Sequence, residues 1–149
     1  MKSLASAEVL SETRARLLRV ATDDQPLWGR MTVWQMMRHL GCSSELALGE
    51  RPMEPVKGVP SALIKFVALR TALPWPKNSK TMPELIQALD ECPETGFEEL
   101  VGVAVAKMED VARATRLAPK HPIFGSMTTA DWMRLGYLHA DHHLRQFGR

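Results

Sequence analysis

The stretch that most restricts the fold is the last one, Thr128-Thr-Ala-Asp-Trp-Met-Arg-Leu-Gly-Tyr-Leu-His-Ala-Asp-His-His-Leu-Arg-Gln-Phe-Gly148. It reads as a single amphipathic helix opened by a Thr-x-x-Asp cap. Three of the chain's five histidines lie in it, at 139, 142 and 143. At 3.6 residues per turn, His139 and His143 fall within about 40° of each other, on one arc with Trp132, Leu135, Gly136 and Gln146. Met133, Tyr137, Ala140 and Leu144 form a second apolar strip beside that arc. Arg134, Asp141 and Arg145 take the polar side. Two imidazoles stacked one turn apart and aimed at a core ask for a shared partner. A divalent cation is the natural one, because rings at this spacing can both reach it. Two ligands hold an ion weakly, so a third must come from elsewhere in the chain.

The remaining segments are helical too. Residues from about Ser6 to Ala21 place Leu10, Leu17, Leu18 and Ala21 at helical spacing. Thr32-Val-Trp-Gln35 has the form of a capping box and predicts a second helix from Val33 to about Leu48, stopped by Gly49. Its apolar side is Val33, Met36, Met37, Leu40 and Ala47, with Arg38 and Glu45 opposite, facing solvent. His39 lies at the edge, on one arc with Gln35, Met36, Ser43 and Leu46. A lone histidine there is ordinarily a hydrogen-bonded core residue. Beside the pair at 139 and 143, and with only His121 and His142 left over, it becomes the favoured third ligand. Residues 61–73 predict a short helix with Leu63, Phe66, Val67 and Leu73 on its apolar flank, ended by Pro74-Trp-Pro76. Lys77-Asn-Ser-Lys80 reads as a solvated basic loop, and a brief helical turn is expected at Glu84–Leu89. Thr95-Gly-Phe-Glu98 looks like another capping box. Behind it Phe97, Leu100, Val101, Ala104, Val105, Met108, Val111 and Ala112 repeat at three and four. No period-two strand pattern appears. The fold class is therefore all-α, a four-helix bundle in one domain, with the long connection from 50 to 93 running the length of the body.

Charge and composition remove other classes. With 19 basic residues scattered among 17 acidic ones, the net charge of +2 gives no basic face for nucleic acid. No apolar run approaches the roughly 20 residues of a membrane span, and the first residues lack the apolar stretch of a signal peptide. Cys42 and Cys92 read as free thiols. A soluble cytoplasmic protein is expected.

Met36-Met-Arg-His39-Leu together with His139-x-x-x-His143-x-x-Gln146 resembles the DinB/YfiT-like superfamily of metal-binding helical bundles. The run His121-Pro-Ile-Phe-Gly-Ser-Met-Thr, then Asp131-Trp, then His139 to Gly148, is similar to one branch of it. The resemblance implies that residues 1–149 form one such bundle, up-down-down-up, with the crossover between the second and third helices. It implies a divalent metal, zinc or nickel first, on His39, His139 and His143 near one end, often in a homodimer. The better-known relatives are mycothiol-dependent maleylpyruvate isomerases, bacillithiol S-transferases and a related hydrolase. A low-molecular-weight thiol and a small-molecule substrate are thus implied as well.

Three protein ligands leave one coordination position for water or substrate, which suits catalysis better than structure. Imidazole alone does not choose among zinc, nickel, iron and manganese. Gln35, Ser43 and Gln146 lie on the histidine arcs and can orient the rings through the second nitrogen, although Ser43 reads rather as an ordinary polar residue. A His-Glu-x-x-His peptidase is excluded, since Ala140 stands where its base would be. Asp141 projects about 160° from His139 and is a poor ligand, while His142, about 60° off, could ligate only if the helix were rotated. Cys42, one turn from His39, could ligate or react, although a buried small thiol is the more common outcome. His121 fits a loop residue at the mouth of the site, and Trp132 and Tyr137 fit packing. Two functions follow. One is a metal-dependent enzyme on a small molecule, a thiol-dependent S-transferase or hydrolase. The alternative is a non-catalytic bundle with a structural metal or a partner docked on the second apolar strip. That strip exceeds what one neighbouring helix covers, so either segment 61–76 or a second copy of the chain is expected over it, and a homodimer is favoured.

Overall fold

The computed structural model describes residues 1–77 and 96–149. Among these, five helices form the body: α1 (Ala7–Leu17), α2 (Val33–Leu48), α3 (Ser61–Arg70), α4 (Phe97–Arg113) and α5 (Thr129–Gln146). A two-residue antiparallel pair, β1 (Lys120–His121) and β2 (Gly125–Ser126), precedes α5. It is too short to show any periodicity in sequence.

Two helices start where their caps predict. Thr32 accepts from the Gln35 N–H while the Gln35 side chain accepts from the Thr32 N–H, and α2 stops at Gly49 with φ 79°. That left-handed conformation is strained for any residue carrying a Cβ. Thr128 and Asp131 make the same reciprocal pair at the start of α5. α4 instead starts after Gly96 with no side-chain cap.

Contacts between helices fix their directions. His39 meets His139, while farther along α2 the Ala47 carbonyl accepts from the Ala118 N–H and the Ala118 carbonyl from the Trp132 indole. α2 and α5 are therefore antiparallel. α1 runs parallel to α5, since Leu4 bonds to Met133 and Arg16 pairs with Asp141. α4 runs parallel to α2, with Trp34 on Phe97 at one end and Glu50 on Lys107 at the other. The order is up-down-down-up, with α3 in the crossover. Seven residues of α4, from Phe97 to Val111, are buried at the predicted three-and-four spacing.

Several expectations are corrected. α1 ends at Leu17 and turns Val9, Thr13 and Leu17 inward, leaving Leu18 exposed. Thr13 can sit in that row because its hydroxyl donates to the Val9 carbonyl at 2.7 Å. On α3, the predicted apolar flank of Leu63, Phe66, Val67 and Leu73 faces outward, and Leu69 is the buried anchor. Charge decides that choice. Lys65 and Arg70 reach Asp131 at 3.3 and 2.7 Å, and Arg134 donates to the Leu69 carbonyl at 3.3 Å. Arg38 and Glu45 do not face open solvent but form a half-buried cluster with Arg51. The second strip of α5 is covered from within the chain. Tyr137, Ala140 and Leu144 are buried, and Tyr137 and Leu144 share one cluster with Leu4, Val9 and Leu17, against which Met133 also packs. Neither segment 61–76 nor a second copy is needed there, so the strip supplies no argument for a dimer. The turn expected at Glu84–Leu89, Cys92 and the capping role of Thr95 lie outside the described residues. Among the described residues no helix is long and apolar enough to cross a membrane.

Candidate metal centre

The antiparallel pairing of α2 and α5 carries His39 to the two histidines one turn apart on α5. The Nε2 atoms of His39 and His139 lie 2.8 Å apart, and those of His139 and His143 lie 3.2 Å apart. All three donor atoms fall within 4.8 Å of one another. A tetrahedral ion bound at about 2.0–2.1 Å would space its nitrogens by about 3.3 Å. The cluster has the dimensions of a metal site.

The hydrogen bonds behind the rings turn lone pairs inward. Gln146 donates from Nε2 to the Trp28 carbonyl at 2.8 Å, which leaves its Oε1 facing His143 Nδ1, also at 2.8 Å. An amide oxygen only accepts, so the proton is on His143 Nδ1 and the lone pair on Nε2. His139 Nδ1 lies 3.1 Å from Ser43 Oγ, which can hold that ring the same way. Lone pairs facing each other at about 3 Å repel unless a proton or a cation lies between them. His39, whose Nδ1 has no partner, can turn an N–H on Nε2 toward His139, but a further proton that would charge any of the three rings is disfavoured. Burial pushes His39 down to about 3 and His143 to about 4, and it drives His139 well below its ordinary value, with neighbouring histidines adding to the effect on all three. Neutral imidazole is the form that binds metal, so the residues present fit a divalent ion.

Two readings of the neighbours exchange places. Gln35 is taken up by the α2 capping box, accepting from the Thr32 N–H at 3.0 Å, and does not orient a histidine. Ser43, read as an ordinary polar residue, is the one that reaches His139. Its position one turn beyond His39 was the available signal. Gln146 reaches the second ring nitrogen of His143. His142 stays outside the trio, its ring 5.9 Å from both Trp28 and Trp75. His121 builds the β1–β2 turn, where Nδ1 accepts from the Ile123 and Phe124 N–H groups at 3.0 and 3.3 Å. Cys42 is a fully buried thiol whose pKa burial raises, outside the cluster. Asp141 pairs with Arg16 and Arg145.

Sequence spacing gave no hint of Trp28 and Trp75, which come from loops. The Trp75 ring lies 6.1 Å from that of His139, and its indole N–H is fixed on the Ala68 carbonyl at 3.1 Å. Ser43, His139, Leu40 and Trp132 line a cavity of about 20 Å³ within the bundle. It has room for about one water and none for a substrate.

The sequence model of the DinB superfamily matches residues 8–147, a span that includes all three histidines, Ser43 and Gln146. The chain belongs to the DinB superfamily. No curated protein and no solved structure matches it.

Two expected results follow from this DinB centre. Ser43→Ala and Gln146→Leu should each weaken metal binding by about 10- to 100-fold, read by competition with a chromogenic chelator, because each frees a ligand ring to rotate. Unchanged affinity in both variants would mean that ring orientation does not matter to this centre. The second result concerns acid. His39, His143 and His121 resist protonation when folded, at about 3, 4 and 4, but accept protons near 6.5 when unfolded. As pH falls below 6.5 the unfolded chain binds more protons than the folded one, so stability falls with pH. Each such histidine contributes about 1.4 kcal/mol per pH unit until its folded value is reached. Denaturant melts of metal-free protein should therefore show a large loss between pH 7 and 5. A flat profile would mean that water reaches these rings in the folded state.

Proposed function

We propose that this DinB protein is a metal-dependent enzyme acting on a small molecule, of the S-transferase or hydrolase type, with a divalent ion on His39, His139 and His143. One observation carries the reading. Three neutral imidazoles converge through Nε2, and among the described residues no fourth histidine, cysteine or carboxylate joins the cluster. Three protein ligands are the number that leaves a coordination position for a reactant. When bound, such an ion stabilises developing negative charge and lowers the pKa of a water or thiol that meets it.

The chain's own part is placement. Ser43 and Gln146 hold ring orientation, and Gln146 also ties the loop bearing Trp28 to the centre through the Trp28 carbonyl. Trp75 lies against His139 and His142, where it limits water at the open side. The likeness to thiol-dependent DinB relatives adds a low-molecular-weight thiol as the co-substrate class, with zinc or nickel as the metal to try first.

The test is metal analysis of protein purified without chelator or nickel resin, followed by turnover assays pairing thiols with electrophiles. About one divalent ion per chain and turnover that disappears on chelation are the expected results. His142→Ala should keep the metal, because that ring points to the rim. A chain that binds no metal at micromolar concentrations would overturn the reading. Metal whose removal lowers the melting temperature, without metal-dependent turnover of any pair tried, would favour a structural ion instead.

A further inference from the structure

Residues beyond the three ligands say what kind of molecule the open side accepts. His142 lies beside the cluster, 5.2 Å from the His143 ring and 5.9 Å from both Trp28 and Trp75, and Trp75 also lies 6.1 Å from His139. The backbone of Trp28 and the ring of Trp75 are both anchored. Trp28 is held through its carbonyl by Gln146, and the adjacent Leu27 N–H donates to the Gln146 carbonyl at 2.7 Å. Trp75 is held through its ring nitrogen by Ala68. Lys77 extends this wall outward, with its ammonium 4.6 Å from the centroid of the Trp28 ring. An ammonium over an indole face is attracted by the ring quadrupole, which fixes the charge beside the aromatic wall. Among the described residues no carboxylate pairs with Lys77, whereas Lys2, Lys65 and Lys107 each have one. The Lys77–Lys80 stretch, read in sequence as a solvated loop, thus contributes its first cation to the rim.

We propose that Lys77, Trp28, Trp75 and His142 form the substrate-binding rim of the metal centre, and that the rim selects an organic anion. Its flat or apolar part lies against the two indoles and His142, its acidic group meets the Lys77 ammonium, and its reacting atom reaches the open side of the histidine cluster. Each contact follows from chemistry at the rim. Indole and imidazole faces offer area and polarizability to a flat apolar group. A cation at the outer edge offers charge-assisted hydrogen bonds to a carboxylate, which water alone would otherwise solvate. The proposal rests on the enzyme reading for the identity of the reacting end, but not for the anion contact itself.

The test compares two probes of nearly equal shape, para-fluorobenzoate and para-fluorobenzamide, titrated into zinc-loaded protein and followed by fluorine NMR. The benzoate should bind about tenfold more tightly than the uncharged amide. Lys77→Met, which keeps the aliphatic stem, should bring the two probes to equal affinity. Lys77→Arg should restore the preference, and zinc content should be the same in all three proteins. Trp28→Leu should weaken both probes together. Equal binding of the two probes to wild type overturns the proposal. So does a preference that survives Lys77→Met. Repeating the titration after chelation separates this claim from the metal reading. A preference that persists without zinc and vanishes with Lys77→Met supports the rim whether or not the centre is catalytic. One that vanishes with zinc places the carboxylate on the histidine centre and overturns the rim as the anion site.

Discussion

His143→Ala should weaken divalent metal binding by about two to three orders of magnitude while leaving the helical bundle folded. Binding at structural zinc sites is worth on the order of 10 kcal/mol or more, spread over a few ligand bonds, so removing one of three ligands removes several kcal/mol. The helices do not depend on those bonds. Met36, Met37, Leu40, Val101, Val105 and Leu144 belong to one buried apolar cluster to which α1, α2, α4 and α5 all contribute. The metal-free variant should even lose less stability in acid than metal-free wild type. One desolvated ring and one inward lone pair have gone, and the acid loss comes from keeping such rings neutral. The measurements are metal affinity, circular dichroism and denaturant melts at pH 7 and pH 5. On the enzyme reading, metal and turnover disappear together while the melt at pH 7 changes little. On the structural reading, the melting temperature drops by an amount that added metal restores in wild type only. If His142→Ala strips the metal and His143→Ala does not, then His142 is a ligand and the trio of His39, His139 and His143 is wrong.

What sequence could and could not say about this chain follows from the range of each interaction. α2, α4 and α5 were legible because their apolar residues repeat over four or more turns and, for α2 and α5, because the caps sit beside the repeat. The cluster of three histidines was legible for the same reason. Two histidines one turn apart specify their own geometry, and His39 lay on the edge of an already oriented helix. α3 was legible as a helix but not in its orientation. Apolar residues lie all around its ten positions, and distant charges on Asp131 and Arg134 decide which side docks. The exchange between Gln35 and Ser43 has a local cause. Gln35 stands at the third position of α2, where an unpaired backbone N–H of the first turn claims its side chain. Ser43 lies deep in the helix, where the backbone makes no such demand, and its hydroxyl is left for His139. Trp28, Trp75 and Lys77 carry no periodic signal at all. Their places at the rim are set by loops that meet only once the bundle has closed.

Trp132→Ala should cost far more stability than removing any one of the histidine ligands. The side chain is only 1% exposed and packs with Leu46, Ala47, Leu69, Val111, Met127 and Leu135. Those residues come from α2, α3, α4, α5 and the segment before α5, so one indole joins elements that the sequence keeps far apart. Its N–H donates to the Ala118 carbonyl at 2.6 Å, the residue whose own N–H closes onto Ala47 at the end of α2. Its ring also lies 5.4 Å from His121, which shapes the β1–β2 turn. Truncation leaves a large cavity and an unpaired carbonyl, for a loss of about 3–5 kcal/mol from packing and about 1 kcal/mol from the bond. A domain of this size holds about 5–15 kcal/mol in all, and each kcal/mol lost lowers the melting temperature by about 2–4 °C. A fall of about 10 °C or more is therefore expected by calorimetry. Trp132→Phe should recover much of the packing and none of the hydrogen bond, which separates the two contributions. His139 lies seven residues further along α5, about 10 Å away. Well below the melting point, metal affinity of the alanine variant should stay within about tenfold of wild type. A strong loss of metal at unchanged melting temperature would reverse this assignment, because it would tie Trp132 to the histidine centre rather than to the junction of the helices.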